Sequence, residues 1–267
     1  MVLQHERILL LLERLKLKRV AELYENLAEE ASKKDWTYVD YLEQLLEAES
    51  ALRQERAVAL KIRVAHFPYH KTLDQFDFAF QPGLDKKQVR KLSAMKFVAE
   101  RENVLFLGPP GVGKTHLAIA LGLEAIHAGY SVYFITAQDL MKALTKAQSK
   151  GQLEMRMRSL IKPQVLILDE LGYLPLEPWE AAQFFQLVSA RYEKGSTLLT
   201  SNKSYGEWGE IFPDQVMAAA VLDRLLHHST TVNIKGDSYR LKGKRKAGLI
   251  APVQVTTNQG KQPSAAG

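Results

Sequence analysis

Gly108-Pro109-Pro110-Gly111-Val112-Gly113-Lys114-Thr115 follows the apolar run Val104-Leu105-Phe106-Leu107 and leads into Leu117-Ala118-Ile119-Ala120-Leu121. This is G-x-x-x-x-G-K-[ST] between a strand and a helix, the context in which the pattern makes a phosphate-binding loop. Glycines let the main chain wrap closely around phosphates, because a side chain there would occupy the ligand's space. The N–H groups of Gly111, Val112, Gly113, Lys114 and Thr115 stand at a helix start without intrahelical partners, free to donate to phosphate oxygens. Lys114 adds a full charge near the terminal phosphates, Thr115 offers a hydroxyl to Mg²⁺, and His116 follows in the first turn. The stretch predicts a site for a nucleoside triphosphate.

The 267 residues are 46% hydrophobic, enough to bury one substantial core and a smaller module. Without cysteine, disulfides and thiolate metal sites are excluded, and an intracellular home is compatible. Leu9 to Leu12 is flanked by Arg7, Glu13 and Arg14, so it is too short for a signal core or a membrane span. We expect a soluble cytoplasmic protein with no membrane partner. A net charge of +6 and a sequence pI near 9.3 are compatible with a polyanionic partner.

Residues 1–68 read as a helical docking or assembly module, because Met1 to Phe67 contains neither glycine nor proline. Ile8, Leu12, Leu15, Leu23 and Leu27 recur at near-helical spacing up to Lys33-Lys34-Asp35. Thr37 with Asp40 then forms a capping box for a second helix, with Tyr38, Tyr41, Leu42, Leu45 and Leu46 as its apolar face. The alternative is a helical extension packed on the main core. Tyr69 to Leu84 reads as a connecting segment. Its aromatics Phe76, Phe78 and Phe80 either stack near an adenine base, Phe78 being the candidate, or pin the linker to the core. A helix from Asp85 to about Arg101 precedes the first strand. Residues 69–242 are assigned to one nucleotide-binding domain and residues 243–267 to a basic, disordered tail.

Beyond the loop helix, Ser131 to Ile135 reads as a buried strand and Gln138 to Lys150 as a helix. Val165-Leu166-Ile167-Leu168-Asp169-Glu170 is an apolar strand ending in two carboxylates. Asp169 suits the Mg²⁺-holding acid, and Glu170 suits a base that orients and deprotonates water. The intervening strand followed by Asp-Glu points to the ATPase branch whose sheet has an extra central strand. Ser196 to Asn202 is a further strand ending in an amide that suits holding the lytic water with Glu170. Asp214 caps a helix carrying Arg224, and Thr230 to Ile234 forms the last strand. The pair His227-His228 matches no metal-ligand spacing.

Gly108 to Thr115, Asp169-Glu170-Leu171-Gly172-Tyr173-Leu174-Pro175, Thr200-Ser201-Asn202, Asp223-Arg224-Leu225 and Asp237-Ser238-Tyr239-Arg240 together resemble the AAA+ ATPase subunits of insertion-sequence transposition, the IstB-like proteins. These are close relatives of bacterial helicase loaders of the DnaC kind. The linker Lys71 to Phe78 looks similar as well, and the likeness spans about Ala65 to Lys242. It implies an α/β fold: an AAA+ P-loop domain with a central parallel sheet behind a small all-α module. It also implies ATP with Mg²⁺ as ligands, a sensor role for Asn202, an arginine finger at Arg224, and Arg240 near a nucleotide. The arginine finger would reach a neighbouring subunit's ATP in a homo-oligomer with shared sites. From the residues alone, Arg224 suits a surface or intramolecular ion pair with Asp223 or Glu210 better than a finger.

Lys142, Lys146 and Lys150 are spaced by four and make one basic stripe; Arg156, Arg158 and Lys162 follow, opposed only by Glu154. Such a face is either solvated or a phosphate-contacting surface. The resemblance favours double-stranded DNA bound without base reading, with a cognate transposase as partner. A replicative helicase loader and a monomeric small-molecule P-loop kinase are the rival readings.

Overall fold

The computed structural model describes residues 2–242, and the tail assigned to 243–267 lies outside the described residues, as does most of the Lys242 to Lys246 run. Three helices open the chain: α1 (Val2–Arg14), α2 (Lys18–Lys33) and α3 (Tyr38–Val64). The leucine-rich first helix expected from the sequence is thus two, broken where Lys16 takes a left-handed φ of 56°. The capping box forms as read: Thr37 Oγ1 accepts the Asp40 N–H, and Asp40 accepts the Thr37 N–H. The apolar face of α3 is narrower than expected. Only Leu45 is buried, whereas Tyr38, Leu42 and Leu46 are exposed, because α3 packs on α2 along the single stripe of Tyr41, Leu45 and Glu49. Glu49 is buried there and accepts the Arg19 N–H at the start of α2 at 2.8 Å.

The far end of α3 leaves this module and joins the main core. Val58, Ile62 and Phe67 pack against it, and the Ala65 carbonyl accepts the Phe134 N–H of the sheet at 2.8 Å. A boundary near residue 68 therefore falls inside packed structure. The helix stops at Val64, ahead of Pro68, as His66 turns left-handed with φ 60°.

The helix expected over Asp85 to Arg101 is likewise split, into α4 (Lys86–Ser93) and α5 (Lys96–Ala99), by Met95 at φ 58°. Then follow β1 (Asn103–Leu107), α6 (Lys114–His127), β2 (Val132–Thr136), α7 (Ala137–Ser149), α8 (Leu153–Ile161) and β3 (Val165–Leu171). The chain continues through α9 (Pro178–Arg191), β4 (Ser196–Ser201), a 3₁₀ turn (Tyr205–Glu210), α10 (Gln215–Leu226), β5 (Ser229–Asn233) and a last 3₁₀ turn (Tyr239–Leu241). Helix α8 and both 3₁₀ turns were not foreseen from the sequence.

All five strands are parallel, in the order β2-β3-β4-β1-β5. The extra central strand is β4, inserted between the loop strand β1 and the acidic strand β3, while β2 lies at the edge. Alternate residues face two cores, as the two-residue strand period requires. Val104, Phe106, Ile167 and Leu198 face α4, α5 and α6, whereas Leu105, Leu166, Leu168 and Leu199 face α7 to α10. Among the described residues, no helix is long and apolar enough to cross a membrane.

Candidate nucleotide and catalytic site

The phosphate loop crosses the carboxyl end of β1 and enters α6, where open parallel sheets place their ligands. Gly108, Gly111 and Gly113 have φ of 147°, 83° and 101°, backbone that glycine adopts without strain. Their small size also serves packing. A Cβ on Gly111 would lie 2.1 Å from Ser238 Oγ, and one on Gly113 would lie 2.6 Å from the Phe76 ring. The linker and the segment after β5 therefore close over the loop from two sides. The Tyr239 N–H donates to the Gly111 carbonyl at 2.9 Å, and Lys242 pairs with Asp77 at 2.7 Å.

Lys114 is buried and makes no ion pair among the described residues; its ammonium donates to the Gly108 and Pro109 carbonyls at 2.6 and 2.8 Å. Burial lowers its pKa to about 8. A buried cation with only neutral acceptors is the electrostatic counterpart of an anion. Thr115 Oγ1 lies 2.9 and 3.1 Å from the two Asp169 oxygens, a hard oxygen pair of the kind Mg²⁺ takes. Burial raises the Asp169 pKa against the hydrogen bonds of Thr200 and Thr115. These residues fit a nucleoside triphosphate with a divalent cation.

The acidic pair sits on a β-bulge. Register runs Leu168 to Leu199 and then Leu171 to Ser201, so one extra residue stands on β3 opposite β4. Glu170 takes φ 63° and is exposed, while Asp169 is 3% exposed. Thr200 repairs the broken ladder: its hydroxyl accepts the Glu170 N–H at 2.9 Å and donates to Asp169 Oδ1 at 2.6 Å. Thr200 has no role legible from the sequence beyond a hydroxyl at the carboxyl end of a strand.

A cleft of about 290 Å³ brings together Gly111 to His116, Glu170, Thr200, Tyr173 and Arg240. Phe76 lines it, whereas the candidate Phe78 does not: Phe78 packs edge-on against Phe76 and lies under Lys86. His116 Nε2–H donates to the Thr72 carbonyl at 2.8 Å, and the ring sits edge-on to Phe76; burial lowers its pKa. Asn202 directly follows β4, outside the lining of this cleft, and its amide oxygen is buried with no hydrogen-bond partner among the described residues. Arg224 lies away from the cleft. Its guanidinium stacks 4.5 Å from the Phe185 ring and donates to the Ala220 carbonyl, with no ion pair to Asp223 or Glu210.

The basic residues divide. Lys142, Lys146 and Lys150 are exposed on α7 and its cap and make no ion pair among the described residues. Arg156 turns inward instead. It donates to the Tyr133 hydroxyl at 2.9 Å, stacks on that ring, and lines a second opening beside Asp169, Glu170 and Arg240. Arg158 pairs with Glu154 at 2.5 Å, and Lys162 is exposed at the end of α8. The six do not form one face, because Arg156 lies on the side of α8 that packs toward β2.

The strand order, the loop and the paired acids define a P-loop nucleotide-binding domain of the AAA+ class. A replication initiator DnaA solved with AMPPCP and single-stranded DNA is similar at TM-score 0.52 and 23% identity over 69% of this chain; the chain spans 57% of that longer one, and the likeness concerns the fold. Residues 10–247 match the family described as IstB-like ATP binding protein, and the chain belongs to that family. It is 52% identical over 240 residues to a Pseudomonas aeruginosa protein named for insertion sequence IS21 and ATP binding, covering 90% of this chain and 91% of that protein. It is 51% identical to a Geobacillus stearothermophilus protein named in the same way for IS5376, covering 90% and 96%.

Proposed function

We propose that the chain binds ATP with Mg²⁺, hydrolyses ATP in homo-oligomers assembled on double-stranded DNA, and in that state assists the transposase of its insertion sequence. The observation that carries the reading is the convergence of Lys114, Thr115, Asp169, Thr200 and Glu170 at the end of three adjacent parallel strands and the loop helix. The bound cation would neutralise charge on the phosphates. Loop N–H groups and Lys114 orient the triphosphate, Thr115 and Asp169 hold the cation, and Glu170 takes a proton from water. Asn202, just past β4 and with no partner for its buried amide oxygen among the described residues, orients that water. Arg224 pairs with no carboxylate among the described residues and lies outside its own chain's cleft, so in this reading it serves a neighbour's site, where Arg240 stands in cis. Phe76 takes the place proposed for Phe78 against the nucleotide. Lys142, Lys146 and Lys150 supply the phosphate contacts to DNA, with Lys162 at the end of α8 as an outlying member.

Kinship at about half identity over nearly the full length of insertion-sequence proteins favours transposition over helicase loading. Glu170→Gln is expected to keep ATP affinity and lose about 100-fold or more in turnover. Replacing the three lysines of α7 and its cap should lower duplex affinity equally for unrelated sequences, and reduce the salt slope by up to about 0.9 per contact. Unchanged turnover in the first variant, or an unchanged salt slope in the second, would refute the corresponding half of the reading.

A further inference from the structure

Gly172-Tyr173-Leu174-Pro175 follows the acidic pair after Leu171, and hydrolysis as proposed uses none of it. The turn is pinned. Gly172 has φ 96°, and a Cβ there would come within 3.0 Å of Ile211 Cδ1 and Lys203 Cγ. Just before it, the Leu171 carbonyl accepts the Ser201 hydroxyl at 2.7 Å. The two large side chains beyond this anchor are nevertheless held out, Tyr173 at 46% and Leu174 at 62% exposed. They form one wall of a groove of about 930 Å³ whose other wall is α7, with Lys142 and Lys146. Both lysines lack an ion pair among the described residues. The carboxylates that line the groove, Glu170 and Glu180, have other duties: Glu180 accepts the Glu177 N–H at the start of α9.

An aromatic ring and a leucine fixed in solvent beside two unpaired ammonium groups suit a ligand that is anionic along its edge and apolar between its planes. A nucleic-acid duplex has both, phosphates outside and base faces within, and wedges of apolar residues between base steps are a known way to hold one. Two unpaired cations along one wall favour this occupant over a protein segment. We infer that Tyr173 and Leu174 form a wedge that enters between base steps of a duplex whose backbone rests on Lys142 and Lys146. This rests on the DNA reading above. Tyr173 lines the nucleotide cleft as well, so the wedge and Glu170 share one short segment.

The test is permanganate oxidation of thymines in a mixed-sequence duplex, with full-length protein and a non-hydrolysable ATP analogue, beside affinity measured by anisotropy. The wild type should raise thymine reactivity several-fold within the bound region. Tyr173→Ala should lose that signal and about 10-fold in affinity, and Tyr173→Phe should keep both. Leu174→Ser, at a position too exposed to threaten folding, should lower both in the same direction. Wild-type reactivity and affinity in Tyr173→Ala and Leu174→Ser, with loss of affinity in the Lys142/Lys146 variant, would overturn the wedge and leave the DNA reading standing. Loss of transposase capture with DNA binding intact would assign the loop to a protein partner and overturn it too. No duplex binding by the wild type would remove the DNA reading itself.

Discussion

Thr200 donates to Asp169 across β3 and β4 at 2.6 Å, and the same oxygen accepts the Glu170 N–H at the bulge. One hydroxyl thus holds the buried acid and the exposed acid in their separate orientations. Thr200→Val keeps the volume and removes the bridge, leaving the buried carboxylate with Thr115 as its one hydroxyl partner and the bulge N–H without its hydroxyl acceptor. Urea unfolding should show a loss of about 1–3 kcal/mol. Turnover should fall more than ATP affinity, because Glu170 loses its fixed backbone while the phosphate loop is untouched. A fall in ATP affinity with turnover unchanged would assign Thr200 to binding alone.

Lys114 predicts a pH dependence. Its pKa is lowered to about 8 by burial, from the ordinary 10.5. Between those values the unfolded chain binds more protons than the folded one, so the stability of the nucleotide-free protein should rise with pH there. Below the lower value the burial penalty stands in full. A bound triphosphate favours the ammonium, so ATP binding above that pH should take up a proton, read by calorimetry in buffers of different ionisation enthalpy. Lys114→Met should abolish the proton uptake, the pH-dependent gain in stability and the nucleotide binding together.

Arg224 is expected to act in trans. Arg224→Ala should leave ATP binding nearly intact and lower hydrolysis and ATP-dependent assembly on DNA. Mixing it with Glu170→Gln tests the geometry, since an Arg224→Ala subunit still carries Glu170 and its neighbour still donates Arg224. Recovery of ATPase in the mixture, with neither variant active alone, would establish the shared site. Full activity of Arg224→Ala alone would return the residue to a surface stack on Phe185.

Arg191 carries a structural prediction. Its buried guanidinium donates to the carbonyls of Leu160, Ile161, Pro163, Gln164 and Ser196, joining the end of α8 to the starts of β3 and β4. Burial lowers its pKa to about 10, which leaves it charged at neutral pH. Arg191→Ala should cost roughly 3 kcal/mol or more, read from thermal unfolding. Lysine should rescue little, because one ammonium cannot reproduce the fork.

Much of the site was legible because its chemistry is local. The loop from Gly108 to Thr115, the cap at Thr37 and the acids after an apolar run are patterns of adjacent residues, and chain geometry turns them into the same structures wherever they occur. The breaks at Lys16 and Met95 were not legible, since each is a non-glycine residue in left-handed backbone, which no local residue pattern signals. Phe76 and Phe78, two residues apart in a linker without periodicity, carry no signal for which ring faces the cleft.

By itself, the sequence determined that this protein has a phosphate loop on a strand–helix junction, a paired acid on a second strand, an α/β domain and a helical start. It did so because periodicity and spacing act over a few residues. Only the tertiary structure decided that β4 stands between the loop strand and the acidic strand. That order puts Thr200 against Asp169, thirty-one residues away, and a one-residue shift in pairing would break the bridge. It also decided that Arg156 turns to Tyr133 while Lys142 stays in solvent, since which side of a helix meets the sheet depends on how the helix docks. Contacts between distant segments depend on strand order and register, and these are set by the joint packing of two cores on one sheet.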